Sequence, residues 1–332
     1  DGRFKIEKEN YKISFRVSIL PVFDGEKIVM RLLDESSHGL TFEKMGILGQ
    51  SLEIIHREIG KPNGIILVTG PTGSGKTTTL YTAMDILNQP GVNISTVEDP
   101  VEYRMPRVNQ TQINPKIGMT FAAALRALLR QDPDIIMVGE IRDQETLEIA
   151  MHAAMTGHLV LSTIHTNSAA ATLPRMLDMG AEPFLVASTV NCIIAQRLVR
   201  RLCVECKKPY QLDSKEVDSL GKLYNIDDLM VYLKKEPMVK KVMEKIDTWE
   251  KITMYKAVGC DQCTGGYKGR IGIYEVLEME SNIRKLVTQS AATEALEEAA
   301  RGNGMATMVE DGFLKIVQGV TSLEEVMGAT KE

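Results

Sequence analysis

The order of apolar and polar residues divides the chain into stretches of different character. Over residues 4–33 apolar side chains alternate with polar ones, which predicts β-strands. Asp24-Gly25 predicts a hairpin turn between two of these strands. Residues 34–40 are rich in serine and glycine and predict a linker. Over residues 41–60 apolar residues recur at steps of three and four, which predicts a helix.

From residue 64 onwards short apolar runs alternate with segments of helical periodicity. The predicted strands are residues 65–69, 94–97, 135–138 and 159–163. The predicted helices are residues 76–87, 121–130, 144–155, 168–179 and 183–198. Short continuous apolar runs between helices are typical of a parallel sheet that helices cover on both faces, so the pattern predicts an α/β fold. Residues 281–331 predict further amphipathic helices.

Composition and charge exclude several classes of protein. The chain has 332 residues, enough for two or three domains, and its 44% hydrophobic and 25% charged content is ordinary for a globular protein. The net charge of −5 argues against general affinity for nucleic acid. With no apolar run near ~18 residues and no signal-peptide pattern, a cytoplasmic location is expected. The chain begins with Asp1 and not with Met, so an N-terminal truncation is expected.

One glycine-rich segment carries the most specific chemistry. Residues 70–77, Gly-Pro-Thr-Gly-Ser-Gly-Lys-Thr, lie between a predicted strand and a predicted helix. Glycines in this arrangement let backbone N–H groups surround phosphate oxygens beside the positive end of the helix dipole. Lys76 is expected to contact the β- and γ-phosphates, and Thr77 to bind Mg²⁺. The predicted ATP-binding residues are Gly70, Pro71, Thr72, Gly73, Ser74, Gly75, Lys76, Thr77 and Thr78.

Two acidic segments follow other predicted strands. Residues 134–138 lead into Gly139-Glu140, and an acid at the carboxyl end of a parallel strand beside a phosphate loop can hold Mg²⁺ directly or through water. Hydrolysis also needs a carboxylate that orients the attacking water. Glu98, Asp99 and Glu102 follow the strand 94–97 and offer that carboxylate. From these residues alone, a solvated acidic loop is the alternative.

Two histidines bracket the predicted strand 159–163. A histidine at the carboxyl end of a strand, as His165 is, can hydrogen-bond a γ-phosphate or respond to its loss. For His158 or His165 taken alone, a structural role is the better interpretation.

Four of the five cysteines form two C-x-x-C pairs, Cys203/Cys206 and Cys260/Cys263, on either side of a charged helical insert at residues 215–249. In a cytosolic chain this pattern predicts a closed Cys₄ zinc site, which is structural because no coordination position is left for substrate. Redox cysteines are the alternative. Cys192, inside the predicted helix 183–198, is expected to be a small buried apolar residue.

Together these motifs resemble those of the motor ATPases of type II secretion and type IV pilus assembly. Residues 98–102, 128–134, 139–142 and 157–166 are similar to the aspartate box, Walker B motif and histidine box of that family, and the resemblance covers essentially the whole chain. It implies a RecA-like ATPase domain and Mg²⁺-dependent ATP hydrolysis. The tetracysteine module is typical of the extension and secretion members and favours assembly over retraction.

The resemblance also implies roles for single residues. Glu102 is similar to the residue that activates water, Glu140 to the Mg²⁺-associated acid, and His158 and His165 to residues that couple nucleotide state to domain position. An arginine can stabilise developing charge on the γ-phosphoryl group. The arginines that match the family are Arg16 and Arg31 of the N-terminal domain and Arg126, Arg130 and Arg142 of the ATPase domain.

The expected organisation follows from the patterns and the resemblance together. Residues 1–35 would be the end of a PAS-like β-rich domain with its linker, 36–200 the ATPase core, 201–280 the zinc subdomain and 281–332 a helical region. The resemblance implies a ring homohexamer whose interdomain rotation drives an inner-membrane platform protein, with a cytoplasmic docking protein as a second partner. The motor would lie peripherally at the inner face of the membrane, without direct nucleic-acid contact.

Three other functions stay open on the sequence. A DNA-uptake or transfer motor of the same superfamily would use the same chemistry. A nucleotide-gated adaptor would bind ATP without turnover, but Lys76, Glu102 and Glu140 argue against it. A small-molecule kinase is disfavoured because the sequence has no obvious lid.

Overall fold

The computed structural model describes residues 2–8, 11–34 and 39–331. The strands are β1 (Gly2–Lys8), β2 (Tyr11–Val22), β3 (Gly25–Asp34), β4 (Gly64–Thr69), β5 (Ile94–Glu98), β6 (Val108–Gln112), β7 (Ile135–Val138), β8 (Leu159–Ile164), β9 (Val190–Leu202), β10 (Lys208–Tyr210), β11 (Met254–Lys256) and β12 (Tyr267–Glu278). The helices are α1 (Phe42–Met45), α2 (Gly49–Ile59), α3 (Lys76–Leu87), α4 (Phe121–Leu128), α5 (Gln144–Met155), α6 (Ala169–Asp178), α7 (Pro183–Thr189), α8 (Ser214–Gly221), α9 (Ile226–Lys235), α10 (Lys240–Met243), α11 (Ser281–Thr288), α12 (Thr293–Gly302), α13 (Met308–Val317) and α14 (Leu323–Thr330).

A seven-stranded sheet forms the centre of the fold, in the order β12-β9-β4-β8-β7-β5-β6. The strands from β9 to β6 run parallel to their neighbours, and β12 pairs antiparallel with β9. The helices α3, α4 and α5 and the pair α6–α7 lie on four of the five connections between successive parallel strands, and residues 99–107 join β5 to β6 without a helix. The strand β4, which leads into the phosphate loop, lies between β8 and β9. The predicted α/β class is confirmed.

The side chains of β4 alternate between two hydrophobic cores. Ile65 and Leu67 pack in a core with α4, α5, α6, α11 and α12, whereas Ile66 and Val68 pack in a second core with α1, α2 and α3. Each of these four side chains is at most 2% exposed. Burying a side chain of this size contributes about 1.5–3 kcal/mol. Coverage on both faces explains why the strand is apolar at every position and not at alternate ones.

The first three strands form their own antiparallel sheet in the order β1-β2-β3. The register pairs Phe4 with Phe15 and Arg16 with Arg31. The predicted hairpin is present between β2 and β3, where Phe23 and Asp24 form the turn and Gly25 begins β3. Residues 35–38 of the predicted linker lie outside the described residues.

A third hydrophobic core joins the insert between the cysteine pairs to the end of the chain. Leu233 of α9 and Trp249 lie in this core with Phe313 of α13 and Val326 of α14. The rings of Trp249 and Phe313 meet edge to face with centroids 5.7 Å apart. In contrast, α11 and α12 pack on the central sheet. The predicted C-terminal helical region is therefore divided between two cores.

The predicted helix 183–198 is wrong beyond residue 189. The helix α7 ends at Thr189, and β9 runs from Val190 to Leu202 with Cys192 fully buried within it. The strand is buried on both faces, because Val190, Ile193 and Ala195 pack in one core and Cys192 and Ile194 in the other. A short apolar run of this kind has no periodicity that separates a buried strand from a buried helix.

Three smaller differences separate the observed elements from the predicted ones. The predicted helix 41–60 is two helices, because Gly46 has a φ of 97° and ends α1. A Cβ at Gly46 would lie 2.7 Å from Ile271 Cγ1, so the chain requires glycine there. The polar edge strand β6 was not predicted. The strand β12 belongs to the central sheet, although it falls within residues 201–280, the range expected for the zinc subdomain.

Candidate nucleotide-binding site and metal centre

Four segments with predicted chemistry lie at the carboxyl ends of neighbouring strands. The phosphate loop follows β4, His165 follows β8, Glu140 follows β7, and residues 98–102 start at the last residue of β5. The strands β4, β8, β7 and β5 are consecutive parallel neighbours, so their carboxyl ends meet along one edge of the sheet. In open α/β sheets, ligands bind in the crevice outside this edge.

The phosphate loop turns sharply between β4 and α3. Gly70, Gly73 and Gly75 have φ values of 140°, 82° and 91°, a region that favours glycine. A Cβ at Gly70 would lie 2.3 Å from the backbone oxygen of the neighbouring strand β9. The ammonium group of Lys76 donates to the carbonyl oxygens of Gly70 at 2.7 Å and Pro71 at 3.1 Å, which holds its charge against the start of the loop.

The groups inside the loop suit an anionic ligand. Burial lowers the pKa of Lys76, and the Glu140 carboxylate opposes that shift. The hydroxyl of Ser74 is buried and has no hydrogen-bond partner within the described part of the chain. Thr77 and Thr78 lie in the first turn of α3, where helix N–H groups are unpaired. A cation, an unused hydroxyl and a helix N-terminus in one loop fit the oxygens of a nucleotide phosphate.

Glu140 lies two residues after β7, at the centre of a charged cluster. Its Oε2 lies 2.6 Å from Arg142 Nε and 3.4 Å from His165 Nε2. The hydrogen bond to Glu140 raises the pKa of Arg142. The hydroxyl of Thr163 in β8 donates to the carbonyl oxygen of Gly139 at 2.7 Å and fixes the start of this segment. The carboxylate of Glu140 and the hydroxyl of Thr77 are the oxygen ligands that would hold Mg²⁺ here.

The two glutamates at the carboxyl end of β5, Glu98 and Glu102, have different surroundings. Glu98 is 2% exposed, and its carboxylate accepts hydrogen bonds from the hydroxyls of Tyr81 and Thr96 and from the amide of Gln110. Burial raises the pKa of Glu98, and these hydrogen bonds act against the shift. Glu102 is half-buried, and its N–H donates to the Tyr81 hydroxyl at 3.4 Å. Glu98 therefore anchors the segment, and Glu102 remains the more accessible carboxylate.

The two histidines lie at opposite ends of β8. The six residues of this strand separate them by roughly 20 Å. His165 lies beside Glu140, and the next N–H, that of Thr166, donates to Thr69 Oγ1 at 2.8 Å, which ties the segment to β4. His158 precedes the strand, where its Nδ1 lies 2.9 Å from the carbonyl oxygen of Ala153. This chain therefore brings His165, and not His158, to its own phosphate loop.

The other predicted arginines lie outside this cluster. Arg16 and Arg31 are exposed, and no hydrogen bond or ion pair among the described residues joins them to the phosphate loop. Arg126 pairs with Glu145 at 2.6 Å on the exposed surface of α4. The guanidinium of Arg130 donates to the carbonyl oxygen of Arg126 at 2.9 Å.

The two C-x-x-C pairs come together in space. All four sulfur atoms lie within 4.8 Å of one another, with separations of 3.9 Å for Cys203–Cys260, 3.7 Å for Cys206–Cys263 and 3.6 Å for Cys260–Cys263. A tetrahedron with zinc–sulfur bonds of about 2.3 Å has sulfur–sulfur edges of about 3.8 Å. The four thiols thus fit a tetrahedral zinc ion, and none of them forms a disulfide.

The sequence did not single out several residues that hold these groups in place. Tyr81 on α3 reaches Glu98, 17 positions away, and Thr69 at the end of β4 reaches Thr166, 97 positions away. Buried hydroxyls need hydrogen-bond partners, but their residue types form no motif. Only Thr69 could have been found from the sequence, by its position immediately before the phosphate loop.

Comparisons with known proteins identify the family of the chain. Residues 1–328 match the family model described as "Type II/IV secretion system protein". The type IV pilus assembly ATPase PilB of Acinetobacter baylyi is 46% identical over 333 residues, which are 100% of this chain and 54% of that protein. The type II secretion system ATPase E of Vibrio cholerae is 45% identical, covering 100% of this chain and 61% of that protein.

Among solved structures, the pilus retraction motor PilT with bound ADP is similar with a TM-score of 0.66 and 29% identity, over 100% of this chain and 78% of that one. The chain spans about half the length of the PilB relative, at 54%. Within the described ranges, every helix is too short or too polar to cross a bilayer.

Proposed function

Because the chain belongs to the type II/IV secretion system protein family, we propose that it is the ATP-hydrolysing motor module of a machine that assembles a type IV pilus or extends the pseudopilus of type II secretion. The observation that carries this proposal is that the phosphate loop with Lys76 and the contact between Glu140 and His165 lie at the carboxyl ends of neighbouring strands. The assembly and secretion activities named for the relatives support the choice of machine.

Binding of ATP would use groups that the fold already holds in place. Backbone N–H groups of residues 70–77 and the ammonium of Lys76 would bind the β- and γ-phosphates. Bound Mg²⁺, held by Thr77 and Glu140, would neutralise charge on the phosphate oxygens. The ion pair between Glu140 and Arg142 would then rearrange, since metal and guanidinium compete for one carboxylate.

Hydrolysis would need one more carboxylate, which Glu102 supplies. In this step the water oxygen attacks the γ-phosphorus, Glu102 accepts the proton, and the bond to the bridging oxygen of ADP breaks. Loss of the γ-phosphate would release contacts to His165 and to the arginines. Such a change biases an equilibrium between two domain arrangements and would drive rotation of the N-terminal domain against the ATPase core.

A ring of six chains would complete the active site. Arg16 and Arg31 are exposed neighbours in the sheet register, and the described residues provide them with no partner at the phosphate loop. In a homohexamer they would approach a nucleotide together with Arg126, Arg130 and Arg142. The tetracysteine site would hold a structural Zn²⁺.

The proposed partners follow from the proposed machine. Rotation would be transmitted to an inner-membrane platform protein, and a cytoplasmic docking protein would hold the ring peripherally at the membrane. A DNA-uptake motor is the second candidate, since the same site chemistry would serve it.

Phosphate release from Mg²⁺-ATP, measured over a range of protein concentrations, tests the proposal. We expect turnover per chain to rise with concentration and to fall at least 100-fold in Glu102→Gln, while ATP binding persists. Glu53→Gln, which changes an exposed carboxylate on α2, is the control and should retain turnover. Near-wild-type turnover in Glu102→Gln would refute its role. Tight ATP binding by the wild type without turnover at any concentration would instead identify an adaptor.

A further inference from the structure

The side chain of Gln196 in β9 joins two parts of the nucleotide-binding segment. Its Nε2 donates to the carbonyl oxygen of Ser74 at 2.7 Å, and its Oε1 accepts from the hydroxyl of Thr79 at 2.6 Å. Gln196 and Thr79 are each 1% exposed. The backbone of Gln196 is also the group that a Cβ at Gly70 would strike, at 2.3 Å. One residue outside the glycine-rich motif therefore contacts the loop at its start, at its end and in the first turn of α3.

The bond to Ser74 determines the direction of a peptide group. In a trans peptide the carbonyl and the following N–H point in opposite directions. A Ser74 carbonyl held by Gln196 therefore turns the N–H of Gly75 away from β9. Gly75 has a φ of 91°, and glycine leaves such a peptide free to rotate unless something holds it. A loop N–H contributes to phosphate binding only when it points at the ligand.

The strand that carries Gln196 is itself well anchored. β9 is hydrogen-bonded to β4 and to β12, and Gln196 lies opposite Tyr274 in the register with β12. The side-chain oxygen and one N–H of Gln196 are already used within the protein. Gln196 is therefore placed to orient the loop and not to bind the ligand itself.

We propose that Gln196 is a positioning residue for the nucleotide, which presets the peptide between Ser74 and Gly75 for phosphate binding. The inference rests on the proposed nucleotide site and adds a residue that lies 119 positions beyond the last residue of its motif, Thr77. Because the loop is held in the binding conformation beforehand, less conformational entropy is lost when phosphate binds.

Three variants separate the two hydrogen bonds. Gln196→Leu removes both, and Gln196→Glu keeps the acceptor for Thr79 but places a carboxylate oxygen against the Ser74 carbonyl. Thr79→Val removes the hydroxyl alone and serves as the matched control. With a fluorescent ADP analogue as probe, we expect about tenfold weaker binding in both Gln196 variants and less than threefold in Thr79→Val. In phosphate release, KM for ATP should rise in parallel while kcat changes less than threefold.

Thermal unfolding of each variant distinguishes positioning from general support of the fold. If Gln196→Leu unfolds at lower temperature but binds ADP as the wild type does, the residue is structural and the inference is wrong. It is also wrong if Thr79→Val weakens binding as much as Gln196→Leu. The ADP measurement does not depend on turnover, so it remains decisive even if the wild type proves to be a non-hydrolysing adaptor.

Discussion

Glu140 and Arg142 form an ion pair at the carboxyl edge of the central sheet, with 2.6 Å between Glu140 Oε2 and Arg142 Nε. The same oxygen lies 3.4 Å from His165 Nε2. The acid proposed to hold Mg²⁺ is therefore shared with two side chains that can carry positive charge. This arrangement makes metal binding and the position of Arg142 interdependent.

Replacing Arg142 with alanine should increase the affinity of the site for Mg²⁺. The side chain of Arg142 is 67% exposed, so solvent screening limits the ion pair to about 0.2–1 kcal/mol. We expect the Mg²⁺ concentration for half-maximal nucleotide binding to fall by up to about fivefold in Arg142→Ala. A Mg²⁺ titration of fluorescent nucleotide binding measures this. Arg57→Ala, which removes an exposed arginine paired with Glu278, should leave the midpoint unchanged. A midpoint that rises in Arg142→Ala would show that the two cations do not compete.

Removal of the Tyr81 hydroxyl should reduce turnover more than removal of the Thr96 hydroxyl. Both hydroxyls donate to the buried Glu98 carboxylate, so Tyr81→Phe and Thr96→Val should each cost about 1–3 kcal/mol of stability. Only the Tyr81 hydroxyl also accepts from the N–H of Glu102. We therefore expect about a tenfold loss of phosphate release in Tyr81→Phe and less than threefold in Thr96→Val. Equal losses in the two variants would mean that stability alone accounts for the effect.

Elemental analysis should find about one zinc per chain, because the four sulfur positions match a tetrahedral site. Cys206→Ser should lose the metal, whereas Cys192→Ala, within the buried strand β9, should keep it. A chelator should lower the unfolding temperature of the wild type but not of Cys206→Ser. Metal-free protein with an unchanged unfolding temperature would contradict a structural zinc site.

The ion pair between the fully buried Lys315 and Asp311, whose side chain is 15% exposed, predicts a pH-dependent variant. Burial raises the pKa of Asp311 and lowers that of Lys315, and each charge opposes the shift of the other. Lys315→Met would leave a largely buried carboxylate without its partner, at a cost of up to about 3–5 kcal/mol near neutral pH. The additional change Asp311→Asn should recover most of the lost stability, since the amide oxygen can still accept a hydrogen bond from the N–H of Tyr274.

The sign of the pH effect follows from the folded-state pKa. Without Lys315, the pKa of Asp311 rises further above its unfolded value, so the folded state binds the extra proton. The free energy of unfolding of Lys315→Met is therefore closest to that of the wild type below about pH 4. It falls further below the wild-type value as the pH rises through the folded-state pKa of Asp311. Unfolding temperatures of Lys315→Met should therefore fall further below the wild type between pH 4.5 and 8. A constant difference across that range would show that the carboxylate is not the cause.

The parts of the site that could be predicted from sequence depend on local pattern. The phosphate loop, the strand ends that carry Glu140 and His165, and the two C-x-x-C pairs each lie within a short segment whose spacing reflects its chemistry. The apolar strands β4, β7 and β8 were predicted within one residue at each end, because they are short, uninterrupted and bounded by polar residues. The strand β9 was mistaken for a helix, since nothing within its sequence reveals the neighbours on both sides.

The sequence by itself determined which residues are candidates to bind phosphate, which thiols are candidates to bind metal and which acids follow strands, because short-range backbone geometry and residue type suffice for these. Only the tertiary structure decided which of these residues meet. It separated His158 from His165, buried Glu98 while leaving Glu102 accessible, and brought Gln196 to Ser74 across 122 positions of sequence. The physical reason is that sheet order and burial arise from contacts between distant segments, and these leave no periodic trace in either segment alone.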